Sequence, residues 1–391
     1  MQYELVDSPE GLADYCRSLS TARVVGLDTE FVSEDSYRSE LCLIQVAADG
    51  RLAIVDPYVV GDLDVFWRQL AGGNHRTIVH AGREEVGFAL RGAGRSPANL
   101  VDLQIAAGLV STEYPAGYSA LVSRLLGMRL HKHETRTDWR RRPLAARQLQ
   151  YAVEDVLHLE PMWDEIQRRL ARMRRETWLV TEMAAWLAEV QSAATSERWR
   201  RVSGTSNLSP RTMAIVREVW RWRESEAERR NWPVRRVLRD DLIVEIARRQ
   251  SDDARQLAMV RGMERGDLKR FLPQLAECVA RGLALDESEL PRPGQPDFPP
   301  QVNVVAQLLA TVLTGVCRRA EVAASLVGTV QDVRDLIAFH LELNGRTDPP
   351  RLAQGWRAEI VGRTIEDLLE GRTCIRIVDP LSEAPLTLEP R

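Results

Sequence analysis

The sequence predicts an α/β domain with a mixed sheet, followed by two all-α domains. Three observations predict it. Short β-branched runs alternate with amphipathic helical patterns over residues 1–171. Residues 208–286 carry helical patterns and no strand signal. Five of the 19 prolines fall in Leu290–Pro300 (LPRPGQPDFPP), ahead of a further helical stretch. At 391 residues the chain exceeds one ordinary core, so several domains are expected.

Arg23–Phe31 (RVVGLDTEF) reads as a strand, and Leu41–Ala47 and Leu52–Asp56 follow after polar breaks as an antiparallel meander. Thr77–His80 and Leu100–Asp102 each precede a helical pattern, which implies parallel strands. Helices are expected near Asp62–Leu70, Arg83–Leu90, Leu103–Leu109 and Tyr118–Leu126, and one long helix from Leu144 to Leu170 after Pro143. These make a first domain, 1–171. Residues 172–207 read as a connecting helix (173–192) and linker, and the linker stretch Val202–Pro210 runs into the next domain, with Ser209 as N-cap and Pro210 as the first helical residue. Residues 208–286 form the second domain, 287–300 a Pro-rich linker, and 301–391 a third helical domain and tail, with Thr373–Val378 as a short strand. Two linkers allow the helical domains either to close on the first or to swing freely.

Composition is that of an ordinary soluble protein, 44% hydrophobic and 28% charged. No uncharged apolar run of about 18 residues is read, so no membrane span is expected, and MQYELVDSPEGL lacks a signal peptide's basic and apolar regions. The five cysteines include no C-x-x-C pair, and their odd number suits free thiols in a reducing cytoplasm. Only Lys132 and Lys269 are lysines, and the other basic residues are arginines, as a GC-rich genome produces. Net charge is −3, but residues 208–286 hold 17 basic residues against 13 acidic. That imbalance favours a polyanion, whereas the acidic first domain favours cations. No obligate protein partner is implied.

Asp28 and Glu30 stand two apart on a strand, so their carboxylates share a face. Two such groups at a buried strand end repel each other, and a hard divalent cation relieves both charge and desolvation. The plain alternative is an exposed polar strand end. Tyr151 and Asp155 stand four apart on a helix, so a phenol and a carboxylate share one face. The alternative there is a surface tyrosine and a solvated aspartate. His80-Ala-Gly-Arg-Glu84-Glu85 opens a helix after a strand, where a carboxylate also complements the helix dipole.

Together, D-x-E on the first strand, HAGREE after the fourth and Y-x-x-x-D on a late helix resemble the DEDD superfamily of 3′–5′ exonucleases, tyrosine branch. VVGLDTEFV, SELCLIQVA, IVHAGREEVGF, LVDLQIAAGL, GYSALVSRLLGMRLHKHETRTDWRRRPL and QLQYAVEDVLHL narrow the resemblance to ribonuclease D over residues 1–171. Leu208–Leu285 resembles the HRDC domain, and 301–372, with GWRAEIVGRTIEDLLEGR, resembles that family's second, diverged HRDC-like domain. The resemblance implies a ribonuclease-H-like mixed sheet and a two-metal site using Mg²⁺ or Mn²⁺. Asp28 would bridge both ions, with Glu30 and Asp155 completing the first ion's shell. Glu85 would hold the second ion through water, and Tyr151 would orient the attacking water. The family usually has Asp where this chain has Glu85, one methylene longer, which can weaken the second site. Glu84 beside it matches the family's usual Glu.

Lys132 matches a family lysine, and Lys132, Arg136 and Arg140 are candidate phosphate contacts, although Arg140–Arg142 cannot all face one groove. His133 lies in the same stretch. His80 is expected to serve structure. Trp139 is expected to pack, Cys42 to be buried, and Trp220, Trp222 and Trp232 to fill the HRDC core. The implied activity is a 3′–5′ exoribonuclease releasing nucleoside 5′-monophosphates, with tRNA precursors bearing a free 3′ end as substrate. The alternatives are a weakly active nucleic-acid-binding scaffold, which the Glu85 departure would explain, and a DNA 3′–5′ exonuclease, because metals do not inspect the sugar.

Overall fold

Residues 4–102 build a six-stranded sheet from β1 (Glu4–Val6), β2 (Val24–Val32), β3 (Glu40–Ala48), β4 (Arg51–Val55), β5 (Arg76–Val79) and β6 (Val101–Asp102). The order is β1-β4-β3-β2-β5-β6. In this computed structural model the described residues are 2–130, 137–263, 266–291, 298–343, 348–382 and 385–391. The β2–β3–β4 meander is antiparallel, and β1, β5 and β6 join in parallel, so the sheet is mixed as expected. Asp49 and Gly50 close the β3–β4 hairpin with φ of 48° and 76°, the left-handed pair that a two-residue hairpin turn demands. Strand β1 escaped the sequence reading because three residues at a sheet edge carry no measurable period.

The expected long helix from Leu144 to Leu170 is two helices, Ala146–Leu157 and Leu159–Met173, broken at His158. The cause is Tyr118. Its hydroxyl donates to the Glu154 carbonyl at 2.7 Å and accepts from the His158 amide at 3.2 Å. The phenol thus takes both groups of a helical hydrogen bond, the kind of insertion that kinks helices. The first segment packs Ala152 and Val153 with Cys42, Leu43, Ile54 and Trp139. The second presses Leu159 onto β2, where a Cβ on Gly26 would stand 3.1 Å from Leu159 Cδ1.

The helix Glu176–Thr195 follows and buries Leu179, Met183 and Val190 against the first domain. Ser209 caps the helix Pro210–Arg230 by accepting from the Thr212 amide. That helix, with Asp240–Arg249 and Leu272–Ala284, encloses a separate core around Val216, Ile243, Leu275 and Val279. Trp199 and Val202, from the stretch read as linker, are buried in it. Trp220 and Trp222 pack against this core, but Trp232 does not, contrary to expectation.

The C-terminal helices share the first domain's core instead of forming their own. Val302, Leu309, Leu313, Leu336 and Ile365 belong to one apolar cluster with Leu27, Ile78 and Leu103. The Ala323 amide donates to the Gly108 carbonyl at 2.8 Å. The Arg175 guanidinium donates to the Leu109 carbonyl at 2.6 Å and to the Glu321 carbonyl at 3.0 Å. Trp178 and Trp356 stack with centroids 4.7 Å apart. Buried Glu182 accepts from Arg357 at 2.5 and 2.7 Å and from Trp356 Nε1 at 2.9 Å. This third part therefore neither swings nor folds around its own centre. Its helix Pro300–Arg319 is long and apolar enough to cross a membrane by length and composition, which the sequence reading passed over. Val302, Ala306, Leu309, Val312, Leu313 and Cys317 on it are buried inside the protein. A hairpin of β7 (Thr373–Ile377) and β8 (Leu386–Pro390) closes the chain, with only its first strand anticipated.

Candidate active site

Strand β2 carries Asp28 and Glu30 toward its C-terminal end, opposite Gln45 and Leu43 of β3, with a bulge after Glu30. Alternation sends both carboxylates to the face covered by the Ala146–Leu157 helix, on which Tyr151 and Asp155 stand one turn apart. Tyr151 is hydrogen-bonded to Asp155, and its ring lies 6.1 Å from that of buried Trp139. The helix break that Tyr118 makes follows within three residues of Asp155.

Glu85 arrives from the other side of the sheet. It opens the Arg83–Ala93 helix after β5 and is 5% exposed. The Thr29 hydroxyl donates to Glu85 Oε1 at 2.5 Å. Thr29 lies between Asp28 and Glu30, so one strand presents two carboxylates on one face and the holder of a third on the other. Glu84 turns away and accepts from the Ser39 hydroxyl at 2.9 Å. Of the two neighbouring glutamates, Glu85 is the one whose charge reaches Asp28 and Glu30.

The carboxylates perturb one another strongly. Burial, then the charges of Glu85, Asp155 and Glu30, push Asp28 well above the usual carboxylate range. Burial with Asp155 and Glu85 raises Glu30 to about 8. Burial raises Glu85 to about 7, against the Thr29 hydrogen bond that lowers it. Burial and the charges of Asp155 and Glu30 push the Tyr151 phenol above its ordinary value. Among the described residues no three acidic, histidine or cysteine side chains stand at metal-ligating spacing. The carboxylates share a field rather than a ligand shell. Their chemistry, oxygen donors with excess negative charge on half-buried side chains, nonetheless fits a hard divalent cation.

Supporting residues complete the site. Asp102 is 2% exposed and accepts from the amides of Ala81, Gly82 and Gln104 at 3.1, 3.0 and 2.8 Å. It thereby holds Ala81, at φ 57°, in the turn that launches the Glu85 helix. His80 Nε2 contacts the Ala116 carbonyl at 2.8 Å and its ring meets Tyr118 edge-on, a structural role as expected. Gln45, fully buried directly across from Asp28, has no hydrogen-bond partner for its amide among the described residues.

Lys132, His133 and Arg136 lie outside the described residues. Arg140 is engaged by Asp138 at 2.9 Å and Asp35 at 3.1 Å, and Arg142 grips Asp56 at 2.6 and 2.8 Å, so neither guanidinium is idle. Sequence reasoning missed Thr29, Gln45 and Tyr118. Thr29 and Gln45 sit inside the motif-bearing strands, but nothing local marks a threonine or glutamine as aimed at a carboxylate.

Comparison with known proteins assigns the family. Residues 3–171 match the 3′–5′ exonuclease family and residues 212–279 match the HRDC domain. The chain is 32% identical over 377 residues to ribonuclease D of Nitrobacter hamburgensis, covering 96% of this chain and 97% of that one. It is 34% identical over 380 residues to ribonuclease D of Acidiphilium cryptum, covering 95% and 94%. The crystal structure of Escherichia coli RNase D, described as an exoribonuclease involved in structured RNA processing, superposes with a TM-score of 0.81 at 26% identity, covering 95% of this chain and 99% of that one. The catalytic core of RRP6 from Trypanosoma brucei shares the fold at 21% identity and a TM-score of 0.54, covering 73% and 81%. With near-complete coverage of relatives above 30% identity, the chain belongs to the ribonuclease D family.

Proposed function

We propose that the chain is a 3′–5′ exoribonuclease that removes nucleotides one at a time from RNA 3′ ends by two-metal hydrolysis. The observation that carries this reading is the field around Asp28, into which Glu30, Asp155 and Glu85 direct further negative charge. Asp28, at its centre, would hold both ions, Glu30 and Asp155 the first, and Glu85 the second through water. Mg²⁺ or Mn²⁺ bound there would supply charge neutralisation and acidify the attacking water.

The chain's own residues position the rest. Tyr151 keeps its proton, since its acidity is pushed further from neutrality, and so orients the water instead of acting as base. Asp155 fixes the phenol and Thr29 fixes Glu85. The water oxygen bonds to the terminal phosphorus, the bond from phosphorus to the 3′ oxygen breaks, and that oxygen takes a proton. A nucleoside 5′-monophosphate leaves, and the shortened RNA ends in a 3′-hydroxyl.

Precursor tRNAs with trailing 3′ nucleotides are the proposed substrate class, supported by the structured-RNA role of the solved relative. The five free thiols suit a reducing cytoplasm. The test sets labelled single-stranded RNA beside DNA of the same sequence, with Mg²⁺ and Mn²⁺. Stepwise shortening of RNA from its 3′ end is expected, and Asp28→Asn should abolish it while circular dichroism stays native. Faster cleavage of DNA would replace this reading with a DNA exonuclease. Asp28→Asn retaining more than a few per cent of the rate would remove the two-metal assignment.

A further inference from the structure

A cluster outside the carboxylate cleft has no role in the chemistry above. Trp232 follows the helix Pro210–Arg230, whose C-cap Asn231 sits at φ 49°. Three guanidiniums surround its indole: Arg236 at 4.4 Å, Arg230 at 4.9 Å and Arg270 at 5.9 Å from the ring centroid. Arg270 also stands 4.7 Å over Phe271. Arg230 is held by Glu226, but no carboxylate pairs with Arg236 or Arg270 among the described residues. The indole is half-buried and belongs to no apolar cluster, unlike Trp222, which packs edge-on against Phe271 at 5.2 Å.

The location ties this cluster to the cleft. The loop leaving β2, the strand of Asp28 and Glu30, crosses to the middle domain at this corner. The Arg38 amide donates to Asn231 Oδ1 at 3.2 Å, and the Arg38 guanidinium pairs with Glu228. The next residue, Ser39, bonds Glu84 beside Glu85. Trp232 is thus one residue from the Arg38–Asn231 contact between the middle domain and the carboxylate-bearing loop.

We propose that Trp232, Arg236 and Arg270 form a holding site for single-stranded RNA, one base stacking on the indole while the two guanidiniums take flanking phosphates. This rests on the exoribonuclease reading, since the strand held would be the one whose 3′ end enters the cleft. A base on an aromatic ring is worth more than an exposed guanidinium on the same ring, so a base displaces an arginine at net gain. The displaced guanidinium carries its charge to a phosphate.

The test measures binding of a 20-nucleotide oligouridylate and of a 20-base-pair RNA duplex to the full chain in its Asp28→Asn form, so that cleavage plays no part. Trp232→Ala should weaken the single strand about tenfold, within the roughly 5- to 150-fold value of one stacked base. The duplex, whose bases are already stacked, should lose less. Trp232→Phe should recover most of the loss, which also guards against misfolding of the alanine variant. Arg236→Ser with Arg270→Ser should lower the slope of log affinity against log salt by about 1.4. Single-strand binding unchanged in Trp232→Ala at an unchanged melting temperature would overturn the proposal, as would equal losses for strand and duplex. The parent's failure to shorten RNA in Mn²⁺ would instead sink the exoribonuclease reading and leave these binding results standing.

Discussion

Glu85 is where this chain departs from the family's usual aspartate, and Thr29 shows how the longer arm is held. The hydroxyl donates to the carboxylate at 2.5 Å and lowers its proton affinity against burial. Glu85→Asp should keep or raise turnover, because a water-mediated ligand tolerates a change in reach. Glu85→Gln should lower it strongly, with partial recovery in Mn²⁺, which tolerates distorted oxygen sites better than Mg²⁺ does. Thr29→Val should move the acidic limb of the pH–rate profile upward, since the bond it removes favours the charged form. A Gln variant with full turnover and only a lower melting temperature would leave Glu85 as a partner of the helix dipole alone. The raised groups also set a stability profile. Glu30 at about 8 and Glu85 at about 7 hold protons in the folded state that the unfolded chain has lost above about 4.5. Their contribution is therefore complete below about 4.5 and fades as pH rises through 7 to 8. The melting temperature of metal-free protein should fall over that window, and added Mn²⁺ should flatten the fall and release protons.

At the scale of the element, the break at His158 links a single phenol to the site. Tyr118 satisfies both the Glu154 carbonyl and the His158 amide, and Asp155 lies between them in sequence. Tyr118→Phe removes the hydroxyl and leaves both groups to find new partners, at a cost of about 1–3 kcal/mol. Turnover should fall with it, because Asp155 loses the constraint on its helix end. Chemical denaturation and single-turnover rates measured together separate the two effects. Stability lost with turnover intact would show that the break does not aim Asp155. The DTE, HAGREE and Y-x-x-x-D segments were legible because period and residue type agree locally. The break was not, since the phenol that causes it is 40 residues away from His158.

For the whole molecule, the division of cores decides what can be cut. The middle domain owns a core, whereas the C-terminal helices complete that of the first domain. Arg357→Met would take both short charge-assisted bonds from the buried Glu182 carboxylate, leaving it Trp356 Nε1 at 2.9 Å and Arg351 at 3.7 Å. Removing one partner of such a pair costs about 3–5 kcal/mol. Calorimetry should show the transition of the shared core falling in temperature while that of the middle domain stays in place. Both transitions falling together would mean that the two cores unfold as one. A chain ending near Arg201 should be poorly soluble for the same reason, since it exposes the apolar face that Val302, Leu309 and Leu313 cover.

What the sequence by itself determined is local: the meander, the Ser209 cap, and the carboxylates placed two apart on a strand or four from a tyrosine on a helix. Each follows from a period of two or 3.6, or from one capping residue, and so needs no partner distant in the chain. Tertiary structure alone decided that Thr29 holds Glu85 while Glu84 turns to Ser39. It also removed Trp232 from the core and gave the C-terminal helices the first domain's core to complete. Those outcomes depend on which surfaces meet, and burial energy is set by the area two faces hide together rather than by the apolar content of either one.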